Sequence, residues 1–320
     1  MTYKSTVIVN PNSAHGATAR NWESIKHYFH DALEPVQIKI TTHAGHATKL
    51  ASQALHSGST QIISVGGDGT HFEILNGFFE NKCLINPDAV LGIYPCGTGN
   101  DLARSLGIPL RQGLKPDYLR DSPLIKADVG YLQYIKPDNS TGYCYFINSC
   151  HIGIGGLICH RVNQRGKAWG GFLSYLVSTL LALGSWRDVT MRLNIDNTLI
   201  EEEIKDIIIA NGNYDGGGMR ISPMAQMDNG LFEVYLVKAM PLIKSLRNVP
   251  VLYQGNIDHH PELARHFQAT SIDIESDSEV MIGIDGESPG VLPASIRLLP
   301  QVLPLIIGPG YSKKNPGDNT

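Results

Sequence analysis

Hydrophobic and polar positions follow two alternating patterns along the first third of the chain. Runs of β-branched or alternating residues predict short strands at 6–9, 36–42, 61–65 and 90–94. Apolar residues at helical spacing predict helices at 19–33, 47–55, 72–79 and from Asp101 onward. Strands that alternate with helices in this way favour a parallel sheet covered by helices on both faces.

The pattern changes after about residue 130. Short β-like runs separated by Gly, Asn and Asp follow one another at 143–147, 190–195, 204–210, 231–237, 269–274 and 280–284. Helical spacing is confined to 171–183 and 242–253. Runs of strands without intervening helices predict an antiparallel sandwich as a second domain. The last apolar segment, 296–307, fits either domain.

Composition and charge narrow the class of protein. The 320 residues are 42% hydrophobic and carry a net charge of −4, which suits a packed core and argues against a nucleic-acid binder. The N-terminus has no signal-like apolar stretch, and the longest apolar run, within 172–184, is shorter than the roughly 20 residues that span a bilayer. Five cysteines without a CxxC spacing favour a cytoplasmic location.

Two glycine-rich turns each follow a predicted strand and precede a predicted helix, GGDGT at 66–70 and GTGND at 97–101. Such turns let backbone N–H groups approach a phosphate, and the following helix N-terminus favours negative charge. The first turn fails the dinucleotide fingerprint because Phe72 occupies the third glycine position. Asp68 would repel a phosphate unless Mg²⁺ lies between them, so the turns favour a Mg²⁺-nucleotide site.

A GxSxG sequence at 286–290 matches the nucleophile elbow of hydrolases. The residue after Ser288 is Pro289, which has no N–H to donate to an oxyanion hole, so the hydrolase interpretation is rejected. By itself, the DGE sequence at 285–287 predicts an ordinary hairpin turn.

Four segments together resemble the catalytic-domain family of diacylglycerol kinases, and in particular the soluble bacterial diacylglycerol and lipid kinases. They are GGDGT at 66–70, PCGTGNDLARSLGIP at 95–109, GGGMRISPMAQMDNG at 216–230 and DGE at 285–287. The resemblance implies an α/β plus all-β fold of the NAD-kinase and diacylglycerol-kinase type. Its α/β nucleotide-binding domain would comprise 1–130 plus 293–320, and its antiparallel β-sandwich domain, carrying the DGE motif, 131–292.

The resemblance implies a kinase that transfers the γ-phosphate of ATP, with Mg²⁺, to the hydroxyl of diacylglycerol or a related lipid at the membrane surface. The protein would then be cytoplasmic and peripherally membrane-associated, with no nucleic-acid partner, and a homodimer stays open. By motif position, the implied nucleotide-binding residues are Asn10, Pro11, Asn12, Ser13, Ala14, Thr41, Gly67, Asp68, Gly69, Thr70, His71, Phe72, Glu73, Thr98, Asn100 and Asp101. Asp68 is also implied as catalytic, and Glu287 or Asp285 as the base that takes the hydroxyl proton.

The resemblance further implies a structural Mg²⁺ site. Its residues would be Gln226, Asp228, Asn229 and Leu231, with Asp128 in the same acidic network. Family members have Asp where this chain has Asn229. A neutral amide contributes no charge, so we expect weakened or relocated metal binding.

Two other functions stay open. One is a NAD-kinase-like kinase of a soluble substrate, because such kinases share the GGDG sequence. The other is a non-catalytic nucleotide- or lipid-binding sensor on the kinase fold, which the Asn229 change favours. An apolar stripe is expected to pack in the core, with part of it facing a lipid chain: Trp169, Phe172, Leu173, Tyr175, Leu176 and Leu180. No catalytic role is expected for His151.

Overall fold

The computed structural model describes residues 4–110, 114–165 and 171–313. The strands of its first part are β1 (Ser5–Val9), β2 (Val36–Ile40), β3 (Gln61–Gly66), β4 (Phe79–Glu80), β5 (Cys83–Leu84) and β6 (Val90–Pro95). The strands β2, β1, β3 and β6 lie side by side in that order and are all parallel, whereas β4 and β5 form a separate hairpin.

Helices cover this parallel sheet. They are α1 (Ser13–Leu33), α2 (His46–His56), α3 (Asp68–Asn76), α4 (Asp101–Ser105) and α5 (Tyr118–Asp121). On α1, Phe29 is fully buried and packs edge-on against Tyr94 of β6, with ring centroids 5.0 Å apart. Ile8 and Ile62 in the middle of the sheet are also fully buried. The strands β1, β3 and β6 are buried on both faces, as predicted for a parallel sheet covered by helices, whereas the edge strand β2 is partly exposed.

Antiparallel strands dominate the second part. They are β7 (Leu124–Ile135), β8 (Thr141–Phe146), β9 (Ser149–Gly153), β10 (Val189–Ile195), β11 (Thr198–Ala210), β12 (Phe232–Lys238), β13 (Ala264–Ala269), β14 (Ser271–Glu275), β15 (Met281–Ile284) and β16 (Glu287–Ile306). One row of strands runs β13-β12-β11-β10-β14-β16, while β9 joins β11 to β15 and β7 joins β16 to β8. Their inner faces enclose a separate apolar core that contains Phe146, Ile207, Phe232 and Ile296.

The helices of the second part are α6 (Ile154–Arg165), α7 (Gly171–Ser185) and α8 (Leu242–Gln254), followed by a short 3₁₀ turn (Ile257–His259). Ala182 of α7 packs with Ile154 and Ile158 of α6, and α7 in turn contacts α8. Within the described ranges, no helix is long and apolar enough to cross a bilayer.

Two long strands, β7 and β16, join the two parts. They pair antiparallel from Val291↔Ile135 to Ile306↔Leu124, with two register shifts. Near its end, β16 also pairs parallel to β6 at Leu305↔Leu91. The boundaries expected at 130 and 293 therefore fall inside two continuous strands, and the apolar segment 296–307 contributes to both cores.

Candidate active site

A cleft of about 340 Å³ opens where the C-terminal ends of β3 and β6 face the β15–β16 hairpin and α6. Most of the residues implied by motif position line it: Asn10, Asn12, Ser13, Ala14, Gly67, Asp68, Gly69, Thr70, His71, Phe72, Glu73, Thr98, Asp101, Asp285 and Glu287. Side chains from both parts of the fold therefore meet in one crevice at the strand ends, where open α/β sheets bind ligands.

The two glycine turns touch each other at the base of the cleft. Because β3 and β6 pair in register up to Gly66↔Pro95, the turns leave the sheet side by side, and the Cys96 N–H donates to the Gly66 carbonyl at 2.6 Å. A Cβ added to Gly97 would lie 2.5 Å from the Cα of Gly67. Glycine is required at this contact because the backbones of the two turns touch and neither backbone can move to make room for a side chain.

A third turn, at the N-terminus of α1, closes against the first glycine turn. The side-chain amide of Asn10 donates to Thr70 Oγ1 at 2.9 Å, and its carbonyl oxygen accepts from the Asn12 N–H at 3.0 Å. Ala14 and His15 adopt left-handed backbone conformations, with φ of 46° and 57°. L side chains rarely adopt this conformation, and such strain occurs mainly at functional sites.

Half-buried Asp68 and buried Asp101 form an acidic pair behind the glycine turns. Asp68 Oδ1 accepts from the Leu102 N–H at 3.2 Å, and Asp101 Oδ2 accepts from the Gly217 N–H at 2.7 Å. Burial, and after it the nearby Asp215 carboxylate, raise the pKa of both carboxyl groups, and the pKa of Asp101 reaches about 7.

The acidic pair has the chemistry of a cation site. Among the described residues, buried Asp101 Oδ1 has no hydrogen-bond partner, and Arg104 Nε lies 3.8 Å from it. A Cβ on Gly99 would lie 3.0 Å from Asp68 Oδ2 and 3.4 Å from Asp101 Oδ2, so both carboxylates border the same small space. Hard cations such as Mg²⁺ prefer carboxylate oxygens and keep several waters, so a pair of this kind fits Mg²⁺ bound together with phosphate.

The DGE hairpin places its two carboxylates in different environments. Asp285 is buried and accepts hydrogen bonds from the backbone N–H groups of 147, 148 and 149 at 2.9, 3.0 and 2.9 Å. Burial raises the pKa of Asp285 to about 7 despite these bonds. Glu287 instead faces the first glycine turn, since a Cβ on Gly69 would lie 2.6 Å from its Oε1. Asp285 holds the hairpin, and Glu287 presents a carboxylate to the cleft.

A histidine flanked by two carboxylates forms one wall of the cleft. His151 Nδ1 lies 2.9 Å from Asp206 and Nε2 lies 2.7 Å from Asp215. Burial alone would lower the pKa of His151, but the two carboxylates raise it to about 10. Asp215 also accepts from Ser149 Oγ and from the Gly216 N–H, both at 2.5 Å. The His151 imidazolium thereby anchors the loop whose Gly217 N–H holds Asp101.

We expect His151→Gln to lower the free energy of unfolding by about 3–5 kcal/mol, because it leaves two buried carboxylates without their cation. The folded-state pKa of about 10 lies above the ordinary 6.5, so this stabilisation is complete below about pH 6.5 and is lost as the pH rises through about 10. Urea unfolding at about pH 6 and about pH 10 measures it. His260→Gln, at a more exposed histidine, is the control. An equal loss at both pH values would contradict the prediction.

Other residues implied by motif position act within the fold. Thr41 is buried, and its backbone N–H donates to the Val9 carbonyl at 2.9 Å. Neither Thr41 nor Pro11 lines the cleft. The Asn100 side chain closes its own turn by bonding to Gly97 at both N–H and carbonyl. Glu73 lines the cleft, but its carboxylate accepts the Gly45 and Ala47 N–H groups and so caps α2.

His71 also lies deeper than its motif position suggests. Its Nδ1 is 2.6 Å from Ser64 Oγ, and its Nε2 is buried without a hydrogen-bond partner among the described residues. Burial lowers the pKa of His71 to about 3, so the ring is neutral and unsuited to bind phosphate as a cation.

The residues expected to form a structural Mg²⁺ site lie together. Four side-chain oxygens of Asp128, Asp228 and Asn229 already accept hydrogen bonds, whereas Asp228 Oδ1 is buried without a partner among the described residues. Both carboxylate oxygens of Asp128 accept backbone N–H groups, from Gly230 and Gln301, at 2.7 Å. The Asn229 side-chain oxygen accepts from the Leu231 N–H at 3.0 Å, and Lys313 Nζ donates to Asp228 Oδ2 at 2.7 Å. Across the described ranges, no three Asp, Glu, His or Cys side chains form a metal-binding group.

Chelation should therefore leave the nucleotide-free protein equally stable. We expect EDTA and added Mg²⁺ to give the same melting temperature, because Lys313 and backbone N–H groups already neutralise this acidic cluster. Asp128→Asn should lower the free energy of unfolding by about 1–3 kcal/mol, since its amide would face a backbone donor. Asp138→Asn, on an exposed turn, is the matched control. The expectation would be contradicted if Mg²⁺ raised the melting temperature of the wild-type protein and if Asp128→Asn abolished that increase.

Comparison with known proteins supports the sequence resemblance. The chain matches the model of the diacylglycerol kinase catalytic domain over residues 4–132 and that of the YegS C-terminal NAD kinase beta sandwich-like domain over residues 148–307. It is 27% identical over 293 residues to a diacylglycerol kinase of Bacillus subtilis, which covers 91% of each chain.

Solved structures share the fold. A diacylglycerol kinase from Bacillus anthracis superposes with a TM-score of 0.72 at 24% identity, covering 97% of this chain and 98% of that one. Yeast NADH kinase in complex with NADH superposes with a TM-score of 0.50 at 11% identity, covering 95% of this chain and 83% of that one. The two-part architecture, an α/β unit followed by a β-sandwich, is thus the one predicted from the sequence.

Proposed function

We propose, from the premise that this chain belongs to the diacylglycerol kinase family of lipid kinases, that it transfers the γ-phosphate of ATP to the hydroxyl of diacylglycerol or a related lipid at a membrane surface. The observation that carries the proposal is the approach of Glu287 to Gly69 across the cleft. It sets a carboxylate from the sandwich opposite a turn suited to phosphate, which is what transfer to a hydroxyl requires.

The glycine turns would hold the phosphates of ATP. Their contact at Gly67 and Gly97 leaves no side chain between the backbone and a ligand, and α3 begins at Asp68 with its N-terminus toward the cleft. Mg²⁺ bound with ATP at Asp68 and Asp101 would neutralise the charge on the transferring phosphoryl group.

Glu287 would orient the acceptor hydroxyl and take its proton. A base must lie within hydrogen-bond reach of the proton that it removes, and Glu287 extends into the cleft from the hairpin that Asp285 fixes. Asn163 of α6 donates to Glu287 Oε2 at 3.2 Å and so orients the carboxylate. Asp285 is the poorer candidate despite its raised pKa, because both of its carboxylate oxygens already accept backbone N–H groups.

The direct test is transfer of γ-labelled phosphate from Mg-ATP to diacylglycerol, monoacylglycerol, phosphatidylglycerol and a sphingoid base in mixed micelles. NAD is included as a competing acceptor, and Asp68→Ala as the inactive control. The proposal is supported if one of the lipids becomes labelled and if Asp68→Ala abolishes that labelling. Label on NAD alone, or measurable ATP binding without transfer to any acceptor, rejects it.

A further inference from the structure

Helix α8 exposes its apolar side chains to solvent. At 100° per residue, Leu242, Leu246 and Tyr253 lie within about 40° of one another on the helical wheel, and all three are exposed. Ile243 is 67% exposed beside them. None of the α8 side chains is buried, and Leu252 joins the helix to a small core with Tyr235 and Ile257. An exposed apolar stripe on an anchored helix marks an interaction surface.

The neighbouring helix α7 also exposes apolar side chains to solvent. Ser178 is fully buried, and its hydroxyl finds no hydrogen-bond partner in the part of the chain that the structure describes. Leu180 and Leu181 are exposed, Leu180 to 51%. Ala182 of the same helix packs on α6, so α7 is anchored on one side while Leu180 and Leu181 are left facing solvent. Of the apolar stripe predicted here, Trp169 lies outside the described residues, as do the side chains of Phe172, Leu173, Tyr175 and Leu176.

The positive charges on α8 favour an anionic membrane as the partner of this surface. The helix carries Lys244 and Arg247 and no Asp or Glu, in a chain whose net charge is −4. Glu262, which lies near Lys244, is paired with His260. At 100° per residue, Arg247 lies about 40° beyond Ile243, and Lys244 lies about 160° from Leu242, on the remaining face of the helix. An apolar stripe with Lys and Arg on the polar face is the pattern of helices that lie in the interface of an anionic bilayer. Pairing with a second copy would instead bring two sets of these cations together.

We infer that the exposed faces of α7 and α8 form a docking surface for anionic membranes, an inference that rests on the proposed lipid acceptor. The surface continues to the cleft, because α8 contacts α7, α7 packs on α6, and Cys159, Val162 and Asn163 of α6 line the cleft. Docking through α7 and α8 would therefore hold the bilayer against helices that pack, through α6, on the wall of the cleft.

Vesicle co-sedimentation tests the surface without requiring activity. We expect the full chain to bind vesicles of phosphatidylcholine mixed equally with phosphatidylglycerol more tightly than phosphatidylcholine alone. The triple change Leu242→Ser, Ile243→Ser, Leu246→Ser should weaken binding about tenfold or more. Lys244→Gln and Arg247→Gln should each cost about fivefold on the anionic vesicles, less at high salt.

A matched control removes equally exposed apolar side chains elsewhere. Tyr143→Ser with Leu199→Ser, at residues 65% and 81% exposed on β8 and β11, should leave vesicle binding unchanged. Equal losses in the control and the α8 triple variant would overturn the inference. So would a concentration-dependent dimer, seen by sedimentation in the absence of lipid, that the triple variant alone abolishes.

A fluorescent probe locates the contact directly. Ile243→Trp should shift its emission to the blue when anionic vesicles are added, and brominated acyl chains should quench it. Unchanged emission while the protein co-sediments would show that the membrane is bound elsewhere and would overturn the inference.

Activity separates this inference from the proposed function. The triple variant should keep its rate on a short-chain diacylglycerol dispersed as monomers and lose it on diacylglycerol in anionic vesicles. An equal loss on both substrates contradicts docking through α8. Wild-type protein that binds vesicles through α8 but phosphorylates neither substrate contradicts the proposed function and leaves the docking surface standing.

Discussion

Glu287→Gln is expected to lower kcat by about 10²–10⁴-fold while leaving the KM for ATP and the melting temperature unchanged. Glutamine keeps the size of the side chain and its bond from Asn163, but it cannot accept the proton of the acceptor hydroxyl. Initial rates of lipid phosphorylation, with ATP affinity measured by calorimetry, give the comparison. Glu201→Gln, at an exposed residue of β11, is the matched control.

Asp285→Asn distinguishes the two carboxylates of the DGE hairpin. Its amide group would face backbone N–H groups of 147, 148 and 149, so the free energy of unfolding should fall by about 1–3 kcal/mol together with activity. If Glu287→Gln retained its kcat, and Asp285→Asn lost activity at unchanged stability, Asp285 would be the base.

Asp68→Asn is expected to reduce kcat by about 10²–10³-fold and to raise the Mg²⁺ concentration needed for half-maximal rate. The substitution keeps an oxygen that can accept from the Leu102 N–H, so the turn should hold its shape. It removes one of the two charges that border the space around Gly99. Rates measured across a Mg²⁺ titration at fixed ATP test this, with circular dichroism confirming the fold.

Asp88→Asn, on an exposed loop, controls for loss of a negative charge alone. An Asp68→Asn protein with wild-type kcat and an unchanged Mg²⁺ titration would remove Asp68 from the catalytic centre. An altered titration with normal kcat would instead restrict Asp68 to metal affinity, and the proposed role in transfer would be wrong.

Features encoded by neighbouring residues were predictable from the sequence. The glycine turns follow strands directly, so their places at the ends of β3 and β6 come from local pattern alone. Register then brings them into contact, because adjacent parallel strands end at the same edge of the sheet. The acidic pair was also predictable from neighbouring residues, since Asp68 and Asp101 each begin the helix that follows a glycine turn.

Features that depend on long-range pairing were not predictable in this way. Asp206 and Asp215 reach His151 because β9 pairs with β11 in a register that places Ile208 opposite His151. No local pattern links residues more than fifty positions apart. Asp215 directly precedes three glycines, and a turn does not by itself require a charged residue there. This position is the sequence signal that could have indicated a role for Asp215.

Only the second half of strand β16 was recognised from the sequence, as the apolar segment 296–307, because Gly and Pro residues interrupt the rest. Gly290, Pro293 and Pro300 interrupt the sequence and are usually strand breakers. The structure accommodates them beside register shifts in the pairing with β7. Strand β13 was missed for a different reason, since Arg265, His266 and Gln268 make it too polar for the pattern of a core strand.

The shared ladder of β7 and β16 bears on how the cleft can move. Two bodies joined by a flexible linker can swing as rigid units, and such motion is the usual expectation between domains. Here each of the two strands contributes side chains to both cores, so widening the cleft must bend a hydrogen-bonded ribbon. We therefore expect that neither half folds as a separate module, because a cut in either strand would remove side chains from both cores.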